Sequence, residues 1–600
     1  MHRWLAVGVI AISIVSAGTQ ANAPLDKAAR QWVDSTLKKL TLEQIVGQMI
    51  FPPFNATYLS SDSDTFDRLV KLVHETYIGG VIAFGGSEPV PQVMLNPTYG
   101  PIILGQPLEL ASTLNRLQSI SAIPLLSASD FEWGVQMRIA GATKFPRAMA
   151  FGAAGDPQLA YDAARVIAIE SRALGVHVDF APVADVNNNP RNPVINIRSF
   201  GEDPKQAGAM VAAFTRGLQD HGVLATLKHF PGHGDTDVDS HLGLPVIPHP
   251  RERLEAVELP PFKAGIAAGA AGVMVAHIEL PSIDADKQPA TFSPKVIGTL
   301  LRPGFDGLIY SDSMKMDAIT EMATPGDAAV RAVKAGIDVI LDSPDSAAAA
   351  AAIVAAVKSG EVPRAQVEQS ARRILEAKAR LGLHRTKTVN LDAVPLTVGG
   401  RTHDAVARAI SERSITLLKD TRNTVPLAVP RSGRLLYLSV LDYPSGWRIA
   451  APSRTIIPEL RSRWPNMSAV EVSDRTTPTE LELVRAMAEN YDAIVAGVFV
   501  RAASSSGRLD LAPPVVKLLQ DLARRSERAS QPFVAAFFGN PYTPTFVPDI
   551  PAMLLTYDFS DYAEQSAVKA LAGEIPIGGK LPISLPGMLP LGHGMTRPVR

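Results

Sequence analysis

LATLKHFPGHGDTDVDSH, residues Leu224 to His241, begins as a short apolar run and ends as a loop crowded with ionisable side chains. The run from Leu224 to His229 does not alternate apolar with polar positions, so it reads as a strand buried on both faces. Seven further runs of this kind occur: Gln48 to Phe51, Gly80 to Phe84, Pro124 to Ser129, Val178 to Ala181, Gly272 to His277, Leu308 to Asp312 and Asp338 to Leu341. Amphipathic stretches such as Pro157 to Leu174 and Ala347 to Val357 lie between them, as crossover helices would. Eight β-α units between Asp26 and Gly382 predict a (β/α)8 TIM-like barrel, with an open doubly wound sheet as the competing arrangement.

Downstream, His384 to Thr402 is polar and shows neither helical nor strand periodicity, which reads as a linker. Beyond it, apolar runs at Leu435 to Leu441, Tyr491 to Val500, Pro532 to Phe538 and Ala552 to Tyr557 alternate with helical segments at Pro478 to Glu489, Pro514 to Arg525 and Asp561 to Gly573. These strands are too few to close a barrel and predict a smaller α/β/α sandwich. The expected organisation is a signal peptide over 1–23, a barrel over 24–383, a linker over 384–402 and the sandwich over 403–600.

The signal peptide rests on His2 and Arg3, the apolar run Leu5 to Ala17, and Ala21-Asn22-Ala23 before Pro24, with cleavage expected after Ala23 and export to the periplasm or beyond. The run is short for a membrane span, although an uncleaved anchor is the alternative. Among 600 residues, 58 basic side chains balance 59 acidic ones, which argues against nucleic acid or an anionic membrane as the main partner. There is no cysteine, so disulfides, thiolate nucleophiles and thiolate metal sites are all excluded. Covalent catalysis must use an oxygen or nitrogen nucleophile.

In a barrel of this kind the chemistry sits where the strands end. Those ends carry Asp130, Asp185, Lys228, His229, His277, Asp312 and Asp342. Each alone could cap the next helix, but together they place ionisable groups from six strands on one rim. The densest cluster is Lys228 to His241, with His229, His233, His241, Asp235, Asp237 and Asp239. It is not a calcium loop, because Ser240 stands where Gly is required and Val246 where Glu is required. A histidine-held zinc or manganese ion is one alternative for it. The other is acid-base chemistry: in an extended loop Asp239 and His241 face the same way, so a carboxylate can orient an imidazole that titrates near neutral pH. Asp442, Arg501 and Asn540 end strands of the sandwich and match no motif, so a structural role is expected for them. Gly573 to Lys580 has the wrong spacing for a phosphate loop.

The KHFPGHGDTDVDSH stretch, Ser311-Asp312-Ser313-Met314, and Ile197-Arg198-Ser199-Phe200-Gly201 with the Asn and Pro residues before it resemble glycoside hydrolase family 3 over the whole mature chain. The nearest resemblance is to its β-N-acetylhexosaminidase branch in the two-domain form; family β-glucosidases usually lack this loop and take their acid from the second domain. The resemblance implies Asp312 as nucleophile, His241 as general acid/base and Asp239 as its dyad partner. It implies that Asp130, Arg198, Lys228 and His229 hold sugar hydroxyls. Glu132, Trp133, His233 and His277 are further candidates. Where relatives often read Asp-Gln-Glu-Gly-Gly, this chain reads Asp130-Phe131-Glu132-Trp133-Gly134, and Trp133 either stacks on a sugar or packs beneath the loop.

The implied activity is retaining exo-hydrolysis of terminal β-linked N-acetylglucosamine through a glycosyl-aspartate. No cofactor or metal is expected, and the partner is a small carbohydrate. Phosphorolysis, β-glucosidase or β-xylosidase activity, and an inactive carbohydrate-binding scaffold are the alternatives; the retained Asp312 and dyad argue against the last.

Overall fold

The computed structural model describes residues 24–87, 102–238, 243–442, 452–501 and 509–600. The expected signal peptide, most of the loop between Gly85 and Pro107, and Asp239 and His241, the expected dyad, lie outside the described residues.

The eight apolar runs all form strands: β1 (Ile50–Phe51) from the first run, followed just beyond that run by β2 (Pro53–Asn55), then β3 (Gly80–Phe84), β4 (Leu126–Ser129), β5 (Val178–Asp179), β6 (Leu224–Phe230), β7 (Gly272–Val275), β8 (Leu308–Ser311) and β9 (Ile340–Leu341). β2 to β8 lie side by side in chain order, all parallel. β1 pairs with β9, Ile50 beside Ile340, and a bridge from Tyr310 to Val339 ties β8 to the approach of β9. Gly79 donates to the Ile50 carbonyl and Ile82 to that of Pro52, so β1 and β2 form one edge against β3 and the ring closes. The N-terminal part of the chain is a (β/α)8 barrel, and the open sheet is ruled out.

Local chemistry sets where the outer helices begin and end. The helix Pro157–Leu174 starts with the Asp156 carboxylate accepting from the Gln158 N–H at 3.0 Å, has Pro157 in its first turn, and ends at Gly175 with φ 84°. Pro204–Gln219 repeats the start, with Asp203 as its cap. Within the barrel, Tyr310 meets Phe180 and Phe51 edge-on, at 5.6 and 6.4 Å between centroids. Gly272 makes room for it, since a Cβ there would sit 2.7 Å from the Tyr310 ring.

The C-terminal sandwich holds β10 (Thr416–Asp420), β11 (Leu435–Leu441), β12 (Met467–Val472), β13 (Ala493–Val500), β14 (Phe533–Gly539) and β15 (Ala552–Leu555). Their order is β10-β15-β14-β13-β11-β12, parallel except for β10, which runs antiparallel to β15. β11, β13, β14 and β15 are the four apolar runs of the sequence. β12 is an edge strand buried only at Met467 and Val472, with half-buried or exposed residues between, and so lacks a continuous apolar run. Residues 384–402 are pinned to the barrel: the Asn115 side chain bonds both the N–H and the carbonyl of Val389 at 2.8 Å, and Gly399 donates to Glu170 at 2.9 Å.

The sandwich meets the barrel along the loop after β5. Asn187 donates to the Tyr542 hydroxyl at 2.8 Å, and Asn196 to Oδ1 of Asn540 at 3.1 Å. Glu202 accepts from the N–H and hydroxyl of Ser584 at 2.7 and 2.5 Å. Among the described residues no helix is long and apolar enough to cross a membrane.

Candidate active site

Four chain segments converge where the barrel strands end. Asp130 directly follows β4, and Glu132 lies two residues on. Lys228 and His229 sit near the C-terminal end of β6, whose residues are all buried. Arg198 comes from the 3-10 turn Asn196–Arg198 in the loop after β5, and Asp312 directly follows β8.

The Lys228 ammonium lies 2.8 Å from both Asp130 and Glu132, with its side chain 3% exposed. Arg198 grips Glu132 with two parallel bonds, Nη2 to Oε1 at 2.7 Å and Nε to Oε2 at 2.9 Å. Arg138 bonds the other oxygen of Asp130 at 2.8 Å. Two carboxylates thus meet three cations, which leaves N–H groups in surplus. Burial alone would push Asp130 up, but the Lys228 ammonium and Arg138 guanidinium outweigh it and hold its carboxyl at about 2. Burial is likewise overcome at Glu132 by Arg198 and Lys228, which hold it well below the usual carboxylate range. Lys228 is itself pushed up against its own burial by Asp130 and Glu132. All three groups are therefore charged near neutral pH.

The histidines are held by specific partners. Asp185 accepts from the N–H of His233 at 2.7 Å and binds Nδ1 of His229 at 2.7 Å. Burial opposes ionisation of Asp185, but His229 overcomes it and keeps the carboxyl low. A carboxylate acceptor places a proton on Nδ1 of His229, leaving Nε2 toward Arg198 at 3.4 Å. Burial, reinforced by His229, pushes His233 down to about 4, so it is neutral near pH 7. His277 lies beneath the turn bearing Asp312: its Nε2 is 3.0 Å from the Ser313 carbonyl, which can only accept, and its Nδ1 is 2.7 Å from Thr291. Asp312 itself accepts from the Ser313 N–H at 2.7 Å, while its own N–H donates to Val275 at 3.1 Å. The Ser313 hydroxyl donates to Asp342, fixing the far side of that turn.

The loop that follows β6 is anchored at its base. Buried Asn192 donates to the carbonyls of His233 and Gly234 at 2.8 and 3.0 Å. Gly234 packs so closely that a Cβ there would lie 1.7 Å from the Val186 carbonyl.

Asp130, Glu132, Arg198, Lys228 and His229 are thus brought into one network, with His233 behind His229 and His277 under Asp312. Trp133 packs against a neighbour: its ring lies 4.5 Å from the Arg147 guanidinium. Arg138 and Arg147 escape a reading of strand ends because both lie in irregular or helix-flanking segments; only the proximity of Arg138 to Asp130 in sequence hints at it. Asn540 reaches the barrel rim, a placement its strand-end position allowed but did not specify. Among the described residues no three His, Asp or Glu side chains gather as a metal would require.

The model of the "Glycosyl hydrolase family 3 N terminal domain" matches residues 41–377. A "Beta-N-acetylglucosaminidase/beta-glucosidase" of Cellulomonas fimi is 28% identical over 94% of this chain and 97% of its own. "Beta-hexosaminidase A" of Pseudoalteromonas piscicida is 31% identical over 67% of this chain and 71% of its own. Among solved structures, a glycoside hydrolase family 3 beta-N-acetylglucosaminidase from a Paenibacillus species is 33% identical, with a TM-score of 0.78 over 91% of this chain and 99% of its own.

Proposed function

The chain belongs to glycoside hydrolase family 3, and from that membership we propose that it removes terminal non-reducing β-linked N-acetylglucosamine by hydrolysis with retention. The observation that carries the reading is the Asp130-Lys228-Glu132-Arg198 network at the same barrel rim as Asp312, with all four groups charged. Such a network is a sugar clamp: ionised carboxylates accept from hydroxyls, and the surplus N–H groups donate to them. The names of the Cellulomonas and Paenibacillus relatives support N-acetylglucosamine as the sugar, and that of the Pseudoalteromonas relative supports a hexosamine.

In this reading Asp312 attacks the anomeric carbon as His241, oriented by Asp239, gives its proton to the leaving oxygen. The bond to the aglycone breaks and a glycosyl ester forms. Water then attacks the same carbon, its proton passes to His241, and Asp312 is released as a carboxylate. Asp130, Arg198 and Lys228 hold the ring in a reactive pose, with Arg198 also fixed by Glu132. His229 orients the clamp through Arg198. We assign residues 24–383 to the catalytic barrel and 403–600 to the sandwich, and residues 1–23 to export into the periplasm or medium.

The test is turnover of an aryl N-acetylglucosaminide by wild type, Asp312→Asn and His241→Ala. Wild-type turnover that falls at least a thousandfold in Asp312→Asn is expected; full activity in that variant sinks the assignment. Because the Cellulomonas relative also carries the name beta-glucosidase, an aryl glucoside belongs in the same panel, run with and without phosphate. N-terminal sequencing of exported protein beginning at Pro24 tests the leader.

A further inference from the structure

Both ends of the Glu132–Arg198 ion pair lean on the C-terminal sandwich. On the Arg198 side, Asn196 is held with φ 43° and its Oδ1 accepts from the Ile197 N–H at 2.9 Å. Its Nδ2 donates to Asn540 at 3.1 Å, and Asn540 is itself anchored by donating to the Leu509 carbonyl at 2.7 Å. Four residues past Arg198, Glu202 takes both donors of Ser584. Inside the loop the Arg198 N–H donates to the Ile195 carbonyl at 2.8 Å and its Nη1 to that of Val194 at 3.2 Å, and the Asn540 and Ser584 contacts fix that internally bonded loop against the sandwich.

On the Glu132 side the next residue is Trp133. Its ring faces the Arg147 guanidinium at 4.5 Å, and the same guanidinium lies 3.8 Å from the Phe559 ring of the sandwich. Arg147 forms an ion pair with Asp558, also of the sandwich, and both side chains are nearly or fully buried. A guanidinium between two rings with its carboxylate fully desolvated is a rigid post, because losing either charge strands the other in the interior. Arg501 extends the stack, 5.7 Å from the Phe559 ring.

We infer that the sandwich positions the sugar clamp: Asn540 holds the Arg198 turn, and Asp558, through Arg147 and Trp133, holds the Glu132 turn. The inference rests on the sugar-clamp reading above. Asn540 and Asp558 are positioning residues that act through others. Displacing a positioned group by about 1 Å can cost up to roughly a hundredfold in kcat/KM.

The experiment uses the full chain. Asn540→Ala and Asp558→Ala raise KM for the aryl N-acetylglucosaminide at least fivefold with kcat within threefold. Asn540→Asp keeps the acceptor for Asn196 but loses the donor to the Leu509 carbonyl, so its KM lies between those of wild type and Asn540→Ala. Val568→Ala, in the sandwich core, lowers Tm and leaves KM unchanged. Amide exchange in peptides spanning 130–138 and 194–201 quickens in both alanine variants, a readout that does not depend on the sugar being right. Wild type without turnover overturns the functional reading alone. Unchanged exchange in those peptides, unchanged KM in folded variants, or an equal rise in Val568→Ala overturns the positioning role.

Discussion

Arg198 holds Glu132 through a two-pronged ion pair of 2.7 and 2.9 Å, formed between a loop after β5 and a turn after β4. Only a planar guanidinium matches both carboxylate oxygens at once. Arg198→Lys keeps the charge but loses one prong, and a hydrogen bond to a charged group is worth about 1.5–3 kcal/mol. A fall in kcat/KM of about 10- to 100-fold is expected from steady-state kinetics, and an unchanged value contradicts the role given to the pair.

Lys228 is the cation shared by Asp130 and Glu132, and its removal turns two neighbours into mutually repelling buried acids. In wild type both carboxyls are held below their unfolded values, so they add stability above about pH 4 that is lost as pH falls through the folded values, about 2 for Asp130. Lys228→Met raises both. Thermal unfolding between pH 2 and 7 should show the variant losing Tm at a higher pH than wild type, and the acid limb of kcat/KM should move up with it.

Asp179, at the end of β5, is fully buried; its Oδ1 accepts from the Phe131 N–H at 2.9 Å and its Oδ2 has no partner. Burial pushes it up to about 8, against the pull of the Phe131 N–H. Between about pH 4 and 8 the folded form holds a proton that the unfolded chain has lost, so stability falls as pH rises across that window. Asp179→Asn keeps the acceptor for Phe131 and cannot ionise. Its Tm should exceed that of wild type at pH 8 to 9, and the gap should narrow toward pH 4; a constant gap would show that Asp179 does not titrate in this window.

Asn192 satisfies the His233 and Gly234 carbonyls and accepts from the N–H groups of Val194 and Ile195 at 2.9 and 2.8 Å. Asn192→Ala strands these buried groups at about 1–3 kcal/mol each, less whatever water recovers. A Tm lower by several degrees is expected together with a lower kcat, since the loop it anchors leads to Asp239 and His241. Loss of stability with no loss of kcat would confine Asn192 to a structural role.

The barrel was legible because most of its strands are buried along their length, so their runs are largely apolar, and six of them end at or near an ionisable residue. Pro157–Leu174 was legible for the same local reason, a capped start and a glycine stop. β12 was not, because an edge strand half open to solvent carries no continuous apolar run. Arg138 was not, because nothing in an irregular turn says which carboxylate a cation will find.

By itself the sequence determined the eight strands, the second α/β layer, and the set of charged residues delivered to one rim, since burial pattern and strand ends are written locally. Only the tertiary structure decided their partners: Arg198 with Glu132, 66 residues apart, and Arg147 with Asp558, 411 apart. Ion pairing depends on distance and desolvation in space, and those are set only when barrel and sandwich close on each other.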